Sequence, residues 1–187
     1  MILVLTGKSA CGKDTIKNEL ISNNEFTGIT TCTTRPRRKG ERKNAYHFLG
    51  YKKFMNKLIH REFFETTYYN VANGEIWYYG TLKKDILNAE DNSIIIMNPD
   101  GVKKLEEYKE LRERCVVCLI EADQDTIQAR LQLRGDDEEE AARRINADNK
   151  DFADFIGYDF VVTSSNDKKI EDTVKEVICG FQEFIEQ

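Results

Sequence analysis

The first residues with a spacing suited to chemistry lie close to the start of the chain. Gly7, Gly12 and Lys13 have the spacing G-x-x-x-x-G-K, which is typical of a loop that binds phosphate groups. The apolar run 2–5 predicts a buried strand before this loop, and apolar residues at helical spacing predict a helix after it. The N–H groups of such a loop, the helix N-terminus and the lysine ammonium all attract anions. The segment therefore predicts a polyphosphate site, and both flanking elements argue against a plain glycine turn.

A carboxylate follows the lysine at the position where this pattern has Ser or Thr. That residue is Asp14, and Thr15 comes next. The hydroxyl of the usual residue ligates Mg²⁺, and a carboxylate oxygen is also a hard ligand for that ion. Asp14 is therefore the candidate metal ligand. It also places a negative charge beside the phosphates, which a bound cation would compensate.

A second group of residues suited to binding anions forms a short basic segment. Its cationic residues are Arg35, Arg37, Arg38, Lys39, Arg42 and Lys43. Arginine meets phosphate oxygens with two parallel hydrogen bonds, so this segment is either a solvated loop or a second anion site, which would suit a second phosphorylated substrate. The chain as a whole has a net charge of −5, which argues against general binding of nucleic acid.

A third group of basic residues stands in the second half of the chain. Arg130 and Arg134 are four residues apart, and Arg143 and Arg144 follow beyond an acidic stretch. In one interpretation these arginines are solvated and the acidic residues 138–140 pair with them. In the other they belong to a mobile lid that brings positive charge onto a transferring phosphoryl group. Charge spacing alone leaves both interpretations open.

Composition and length are those of a folded, soluble protein. The chain has 187 residues, of which 40% are hydrophobic and 33% charged, which suits one domain or one core with inserted subdomains. The apolar runs 1–5 and 94–97 are far too short to span a bilayer, and the N-terminal residues lack the pattern of a signal peptide. We therefore predict a cytoplasmic protein that does not contact membranes.

Five cysteines are scattered along the chain, and two of them have a spacing that could bind metal or carry out redox chemistry. These are Cys115 and Cys118, inside the apolar run 115–120. In a strand, residues three apart face opposite sides of the sheet, which prevents both from binding one ion. We therefore predict buried free thiols.

Strands and helices alternate along most of the sequence. Strands are predicted at 2–5, 26–32, 46–49, 93–97, 115–120 and 160–163, helices after Lys13 and at 51–60, 81–90, 100–111, 125–133, 136–155 and 170–185, and a hairpin at 63–71 and 76–79 around Asn73-Gly74. The alternation predicts a parallel α/β core. Residues 30–81 are predicted to form a small, partly β insertion.

Several motifs together resemble the signature of the guanylate kinases. They are Thr33-Thr34-Arg35-Pro36, Arg38, Gly40-Glu41, Tyr46-His47-Phe48, Glu62-Phe63-Phe64-Glu65, Tyr78-Tyr79-Gly80-Thr81, Arg130-Leu131, Arg134-Gly135 and Arg144. They follow the order of that family from residue 2 to about residue 165, and as a set they are far more specific than the phosphate loop alone.

The resemblance implies a fold and a reaction. The fold is a P-loop NTPase-type parallel sheet flanked by helices, with core segments 1–29, 82–125 and 150–187. The segment 30–81 would be the NMP-binding insertion, and 126–149 a helical lid. The reaction is transfer of the γ-phosphoryl group of ATP to GMP or dGMP with Mg²⁺, giving ADP and GDP.

The resemblance also implies roles for individual residues. The ATP-binding loop would be Gly7, Lys8, Ser9, Ala10, Cys11, Gly12, Lys13, Asp14 and Thr15. The residues that bind GMP would be Thr31, Arg35, Arg38, Tyr46, Glu65, Tyr79, Thr81 and Asn98. The catalytic cations would be Lys13, Arg38, Arg130, Arg134 and Arg144. A carboxylate at Glu65 suits guanine, because guanine offers two adjacent N–H donors.

Some positions depart from the family pattern and leave alternatives open. Asn98 stands where guanylate kinases usually have an Asp-x-Asp motif, and Asp100 is the candidate replacement carboxylate. The loop before Tyr46 is also one residue short, and the stretch from Glu65 to Tyr79 is several residues long. One alternative is therefore a nucleoside-monophosphate kinase with another base preference.

Two further alternatives are a different kinase and a binding module. Asp14 and Asn98 together resemble the ribose 1,5-bisphosphate phosphokinases, which lack the Tyr-His-Phe motif and the equivalent of Glu65. A non-catalytic guanylate-kinase-like interaction module belongs to a different class, and such modules typically lose the phosphate loop, whereas Gly7, Gly12 and Lys13 are intact here.

Overall fold

The computed structural model describes residues 1–23, 25–38, 40–71, 74–135 and 138–186. The strands are β1 (Ile2–Thr6), β2 (Thr27–Gly28), β3 (Cys32–Thr33), β4 (His47–Phe48), β5 (Phe63–Asn70), β6 (Ile76–Leu82), β7 (Ser93–Ile96), β8 (Cys115–Glu121) and β9 (Phe160–Thr163). The helices are α1 (Lys13–Ser22), α2 (Tyr51–Ile59), α3 (Lys83–Leu87), α4 (Pro99–Leu105), α5 (Lys109–Arg112), α6 (Gln124–Leu133), α7 (Glu138–Asp151) and α8 (Ile170–Ile185).

The chain divides into two compact units. The larger unit comprises residues 1–28 and 90–187, and the smaller unit comprises residues 29–89. The larger unit therefore contains the phosphate-loop sequence and the arginines of α6 and α7. The smaller unit contains the basic segment and the hairpin of aromatic residues.

A five-stranded parallel sheet with the order β2-β7-β1-β8-β9 forms the centre of the larger unit. Strand β1 lies between β7 and β8 and is buried along its whole length, which explains why its sequence is a continuous apolar run. Helices α1 and α8 contribute to one apolar cluster with the sheet. The predicted parallel α/β core is confirmed.

A four-stranded mixed sheet with the order β4-β3-β6-β5 forms the smaller unit. Strands β5 and β6 pair antiparallel, which confirms the predicted hairpin. The turn was predicted at Asn73-Gly74, and Asn73 lies outside the described residues. The rings of Phe54 and Phe63 stack with centroids 4.5 Å apart and form the core of this unit with Cys32 and Leu82.

The helix predicted at 136–155 ends earlier, at Asp151, and residues 136 and 137 lie outside the described residues. Three other predicted elements differ more from the structure. The predicted strand 26–32 is two separate short strands, β2 and β3, which belong to different sheets. The helix predicted from residue 81 begins at Lys83, because Leu82 still pairs with Phe63 in the hairpin.

The third difference is a break in the helix predicted at 100–111, which is replaced by α4 and α5. Tyr108 leaves the helical backbone with φ −123°. Leu105 and Leu111 are both buried on either side of the break. In an unbroken helix these residues would point about 120° apart, so the break allows both to face the core.

The cysteines are free thiols, as predicted. Cys11, Cys32, Cys115 and Cys118 are buried, whereas Cys179 is exposed. Burial raises the pKa of Cys32 and of Cys115 to about 11, which makes these thiols poor nucleophiles at neutral pH. Among the described residues, no helix combines the length and the hydropathy needed to cross a membrane.

Replacing Phe181 with alanine is expected to destabilise the protein by about 4 kcal/mol, because it leaves a cavity in a packed core. Phe181 is 2% exposed and its ring meets Phe26 edge to face at 5.2 Å. The measurement is the free energy of unfolding by urea. The matched control is Phe184→Ala on the exposed side of α8, which should cost about 1 kcal/mol or less. Equal losses for the two variants would contradict this placement of the core.

Candidate functional site

The phosphate-loop sequence connects the end of β1 to the start of α1, at the carboxyl edge of the parallel sheet. Gly7 has φ +146° and Gly12 has φ +108°, conformations that other residues rarely adopt. A Cβ atom on Gly7 would also lie 2.3 Å from the carbonyl oxygen of Ile120 in β8. Only glycine therefore allows the loop to pass beside β8. Ala10, with φ +59°, is a non-glycine residue in a left-handed conformation within the loop.

Lys13 is the first residue of α1, and its side chain crosses back over the loop. Its Nζ atom donates to the carbonyl oxygens of Gly7 and Lys8, at 2.7 Å in both cases. It also lies 3.5 Å from the sulfur of buried Cys11. The ammonium is thus held directly at the loop, where a phosphate-binding lysine is needed.

Arg130 of α6 is anchored to the same loop. Its guanidinium donates to Ala10 O at 3.3 Å and to Ser164 Oγ at 3.0 Å. It also donates to Ser165 O and to Asn166 Oδ1, both at 3.1 Å. Ser164 and Asn166 follow strand β9 and were not predicted as site residues. The only signal for them was a run of small polar residues directly after a predicted strand.

The other arginines predicted near this site have different environments. Arg134 caps the end of α6 and is exposed. Arg143 and Arg144 of α7 both form ion pairs with Glu140 at 2.8 Å. Glu140 of the acidic stretch thus pairs with two arginines of its own helix, while Arg130 is bound to the loop and its neighbours.

Asp14, the candidate metal ligand, lies in the exposed first turn of α1, with Thr15 beside it. Within the described ranges, no group of three or more His, Cys, Asp or Glu side chains is arranged to hold a metal ion. Mg²⁺ commonly binds through one or two carboxylates together with substrate phosphates, so a single carboxylate at the loop fits this ion. Burial lowers the pKa of Lys17, one turn further on, to about 8, and the Asp14 carboxylate opposes this fall.

The basic segment of the smaller unit is organised around Arg35. This side chain is 3% exposed and makes two parallel bonds to the Glu41 carboxylate, at 2.6 and 3.0 Å. Its guanidinium also lies over the rings of Tyr46 and Phe48, at 5.4 and 5.8 Å from their centroids. The backbone N–H of Arg38 donates to the same carboxylate at 2.9 Å. Glu41 therefore fixes the side chain of Arg35 and the backbone of Arg38. Lys39 lies outside the described residues.

These contacts change the titration of the buried pair. Burial alone would raise the pKa of Glu41, but its hydrogen bonds to Arg35 and to the Arg38 N–H outweigh burial and lower that pKa. Burial alone would lower the pKa of Arg35, and the bonds to Glu41 again outweigh it and raise that pKa. Both side chains therefore stay charged at neutral pH.

One face of the β5–β6 hairpin carries the remaining predicted residues of this unit. Glu65 and Thr81 are directly opposite each other, and Thr81 Oγ1 donates to Glu65 Oε1 at 2.7 Å. The ring of Tyr79 on the same face meets Tyr46 at 6.1 Å and Tyr69 at 5.6 Å, both nearly edge to face. Tyr69 was not predicted as a site residue.

Two predicted residues lie outside this hairpin face. Thr31 precedes β3 and accepts a backbone hydrogen bond from His47 through its carbonyl oxygen. Asn98 belongs to the larger unit, where it caps α4: its Oδ1 accepts from the N–H of Gly101 at 2.9 Å. The side chain predicted to bind GMP thus already has a structural role.

Replacing Glu41 with glutamine should destabilise the protein by about 3 kcal/mol at neutral pH, because it leaves the buried charge of Arg35 without its partner. Folding lowers the pKa of Glu41, so the pair contributes its full stability above the ordinary value of 4.5. This contribution is lost as the pH falls through the lower folded-state pKa. The difference in unfolding free energy between wild type and variant should therefore shrink below pH 4.5. Glu90→Gln is the exposed control, and a constant difference across this range would contradict the assignment.

Comparisons with known proteins agree with the motifs. The family model described as guanylate kinase matches residues 1–186. The guanylate kinase of Prochlorococcus marinus subsp. pastoris is 29% identical over 181 residues, which cover 95% of this chain and 94% of that protein. The guanylate kinase of Clostridium tetani is 27% identical over 95% of this chain and 83% of its own length.

A solved structure shows the same fold. The guanylate kinase of Anaplasma phagocytophilum matches with a TM-score of 0.68, covering 97% of this chain and 84% of that one at 22% identity. With the family model matching nearly every residue, the chain belongs to the guanylate kinase family.

Proposed function

We propose that the protein transfers the γ-phosphoryl group of ATP to GMP, or to dGMP, and releases ADP and GDP. The observation that carries the choice of acceptor is the pair formed by Glu65 and Thr81. The hydroxyl of Thr81 fixes one oxygen of the Glu65 carboxylate at 2.7 Å and so orients the whole group. A carboxylate held in this way is suited to the adjacent N1 and N2 hydrogens of guanine, which donate in parallel. Adenine presents no such pair of donors.

On the donor side, the loop from Gly7 to Thr15 would hold the phosphates of ATP. Its N–H groups would bind phosphate oxygens, and Lys13 would place its charge at the β- and γ-phosphates. Arg130 is already fixed at Ala10 of this loop, where it would stabilise the charge of the transferring group. Arg134 and Arg144 would join it from the helical segment 126–149, which we propose as the lid.

Mg²⁺ would be held by Asp14 together with the phosphates of ATP, and it would neutralise charge on the β- and γ-phosphates during transfer. On the acceptor side, Arg35, Arg38, Tyr46 and Tyr79 would hold the phosphate of GMP. Of these, Arg35 is bound by the Glu41 carboxylate and lies over the rings of Tyr46 and Phe48.

Guanine would lie against the segment 30–81, which we propose as the NMP-binding insertion. Glu65, Thr81 and Thr31 would contact the base there. Asn98 would contribute to base recognition as well, with its oxygen shared between guanine and the N–H of Gly101.

The reaction needs no general base. An oxygen of the GMP phosphate attacks the γ-phosphorus, and the bond from that phosphorus to the bridging oxygen of ADP breaks. Positioning and charge neutralisation supply most of the acceleration in phosphoryl transfer. Fixed cations such as Arg35 and Arg130 suit this chemistry, because they need little rearrangement as charge develops. ATP and GMP are nucleotides of the cytoplasm, where we propose that the enzyme acts.

The proposed function is tested by ADP release from ATP and Mg²⁺, measured with a coupled assay in the presence of different acceptors. GMP and dGMP should support turnover, whereas AMP, UMP, CMP and ribose 1,5-bisphosphate should not. Turnover with the ribose compound alone would contradict the guanylate assignment. No turnover with any acceptor would favour an interaction module.

Replacing Glu65 with glutamine should lower kcat/KM for GMP by about 100-fold, because it removes a charged acceptor and presents an amide donor to guanine N–H groups. The KM for ATP should stay the same. Both are measured by steady-state kinetics with each substrate varied in turn. Glu62→Gln makes the same chemical change three residues away, where Glu62 pairs with Lys57 at the surface, and it should leave both constants unchanged. A selective loss of ATP affinity in Glu65→Gln would show that this residue is wrongly placed.

A further inference from the structure

The C-terminal end of helix α7 is bound to the phosphate loop by two polar contacts. The backbone N–H of Ser9 donates to Asp148 Oδ2 at 2.7 Å. The Nζ atom of Lys8 donates to Asn149 Oδ1, also at 2.7 Å. These residues are about 140 positions apart in the chain, and all belong to the larger unit. A carboxylate of the protein itself thus accepts a hydrogen bond from an N–H group of the loop that is proposed to bind phosphate.

The side chains of α7, from Glu138 to Asp151, are at most partly buried. A cavity of about 70 Å³ is lined by residues of α6, α7 and the loop, among them Ile127, Ile145 and Asp148. That volume corresponds to about two water molecules. Separating this end of α7 from the loop therefore requires the exchange of these two polar contacts and the exposure of the side chains that line the cavity.

Three carboxylates, those of Asp100, Asp148 and Asp151, lie near one another at this end of α7. Partial burial and the neighbouring carboxylates of Asp100 and Asp148 raise the pKa of Asp151. The cations that face this charge from the loop side include Lys8, which is bound to Asn149. A triphosphate that enters the loop therefore meets a carboxylate of like charge at hydrogen-bonding distance from the loop backbone.

We propose that Asp148 competes with the phosphates of ATP for the loop, so that it weakens ATP binding and is displaced when ATP binds. The inference rests on the proposed function, since it takes ATP as the donor. The Ser9 N–H has one hydrogen to donate and cannot fully satisfy both a carboxylate and a phosphate oxygen. Repulsion between the carboxylate and the phosphates acts in the same direction. Displacement would release the end of α7, the helix that carries Arg143 and Arg144.

The opposite role is that Asp148 holds the loop in its binding shape. The two roles predict effects of opposite sign when the charge is removed. Loss of a competitor tightens ATP binding, whereas loss of a support weakens it. The sign of one binding measurement therefore decides between them.

The test is calorimetric titration of ATP into wild type, Asp148→Asn and Asp148→Ala, with EDTA present so that no metal screens the phosphates. Asp148→Asn keeps the shape of the side chain and should lower the Kd for ATP about fivefold to tenfold. Asp148→Ala, which also removes the bond to Ser9, should lower it at least as much. Asp154→Asn, an exposed residue near the same helix end, controls for net charge and should leave the Kd unchanged.

A second measurement follows hydrogen exchange in residues 144–151 of wild type, with and without ATP. ATP should accelerate exchange there, because it separates this segment from the loop. An unchanged or raised Kd in Asp148→Asn, or slower exchange on ATP binding, would overturn the inference. If wild type bound ATP no more tightly than a Lys13→Ala variant, the proposed function would be wrong. The inference about Asp148 would then be wrong as well.

Discussion

The close passage of the phosphate loop beside strand β8 is the constraint on which the larger unit depends. Gly7 adopts φ +146° there, and any Cβ atom would lie 2.3 Å from Ile120 O. Because the loop can make this turn, buried β1 pairs with β8 along its whole length, and α1 begins with Lys13 directly at the loop. A larger residue at Gly7 would require either the strand pairing or the loop to change. Fold and candidate function are therefore linked at a single backbone position.

Fixed partners hold the charged side chains in each unit. Arg130 is bound by four oxygen atoms around the loop and the residues after β9. Arg35 is bound by the Glu41 carboxylate and lies over two aromatic rings. Holding arginines in this way costs free energy during folding, because the charged groups lose their water and the side chains lose conformational freedom. In return, little reorganisation is needed when a phosphoryl group develops charge nearby.

Features with a short-range signal could be predicted from the sequence. The strand, loop and helix at 2–22 and the hairpin β5–β6 follow from apolar periodicity, glycine spacing and motif residues. The role of Asn98 as a helix cap also had a signal, since Asn followed by Pro99 is typical of a helix start. By contrast, the bond from Ser9 to Asp148 spans 139 residues, and the bond from Arg130 to Ser164 spans 34. Such contacts depend on how helices pack, which local patterns do not specify.

The activity proposed for this chain is the transfer of a phosphoryl group between two phosphate-bearing substrates. It is tested most directly with ATP that carries radioactive phosphorus at the γ position, incubated with Mg²⁺, GMP and the purified protein. After separation of the nucleotides, the label should appear in GDP, at the β position. Label recovered as inorganic phosphate, or retained in ATP, would contradict it.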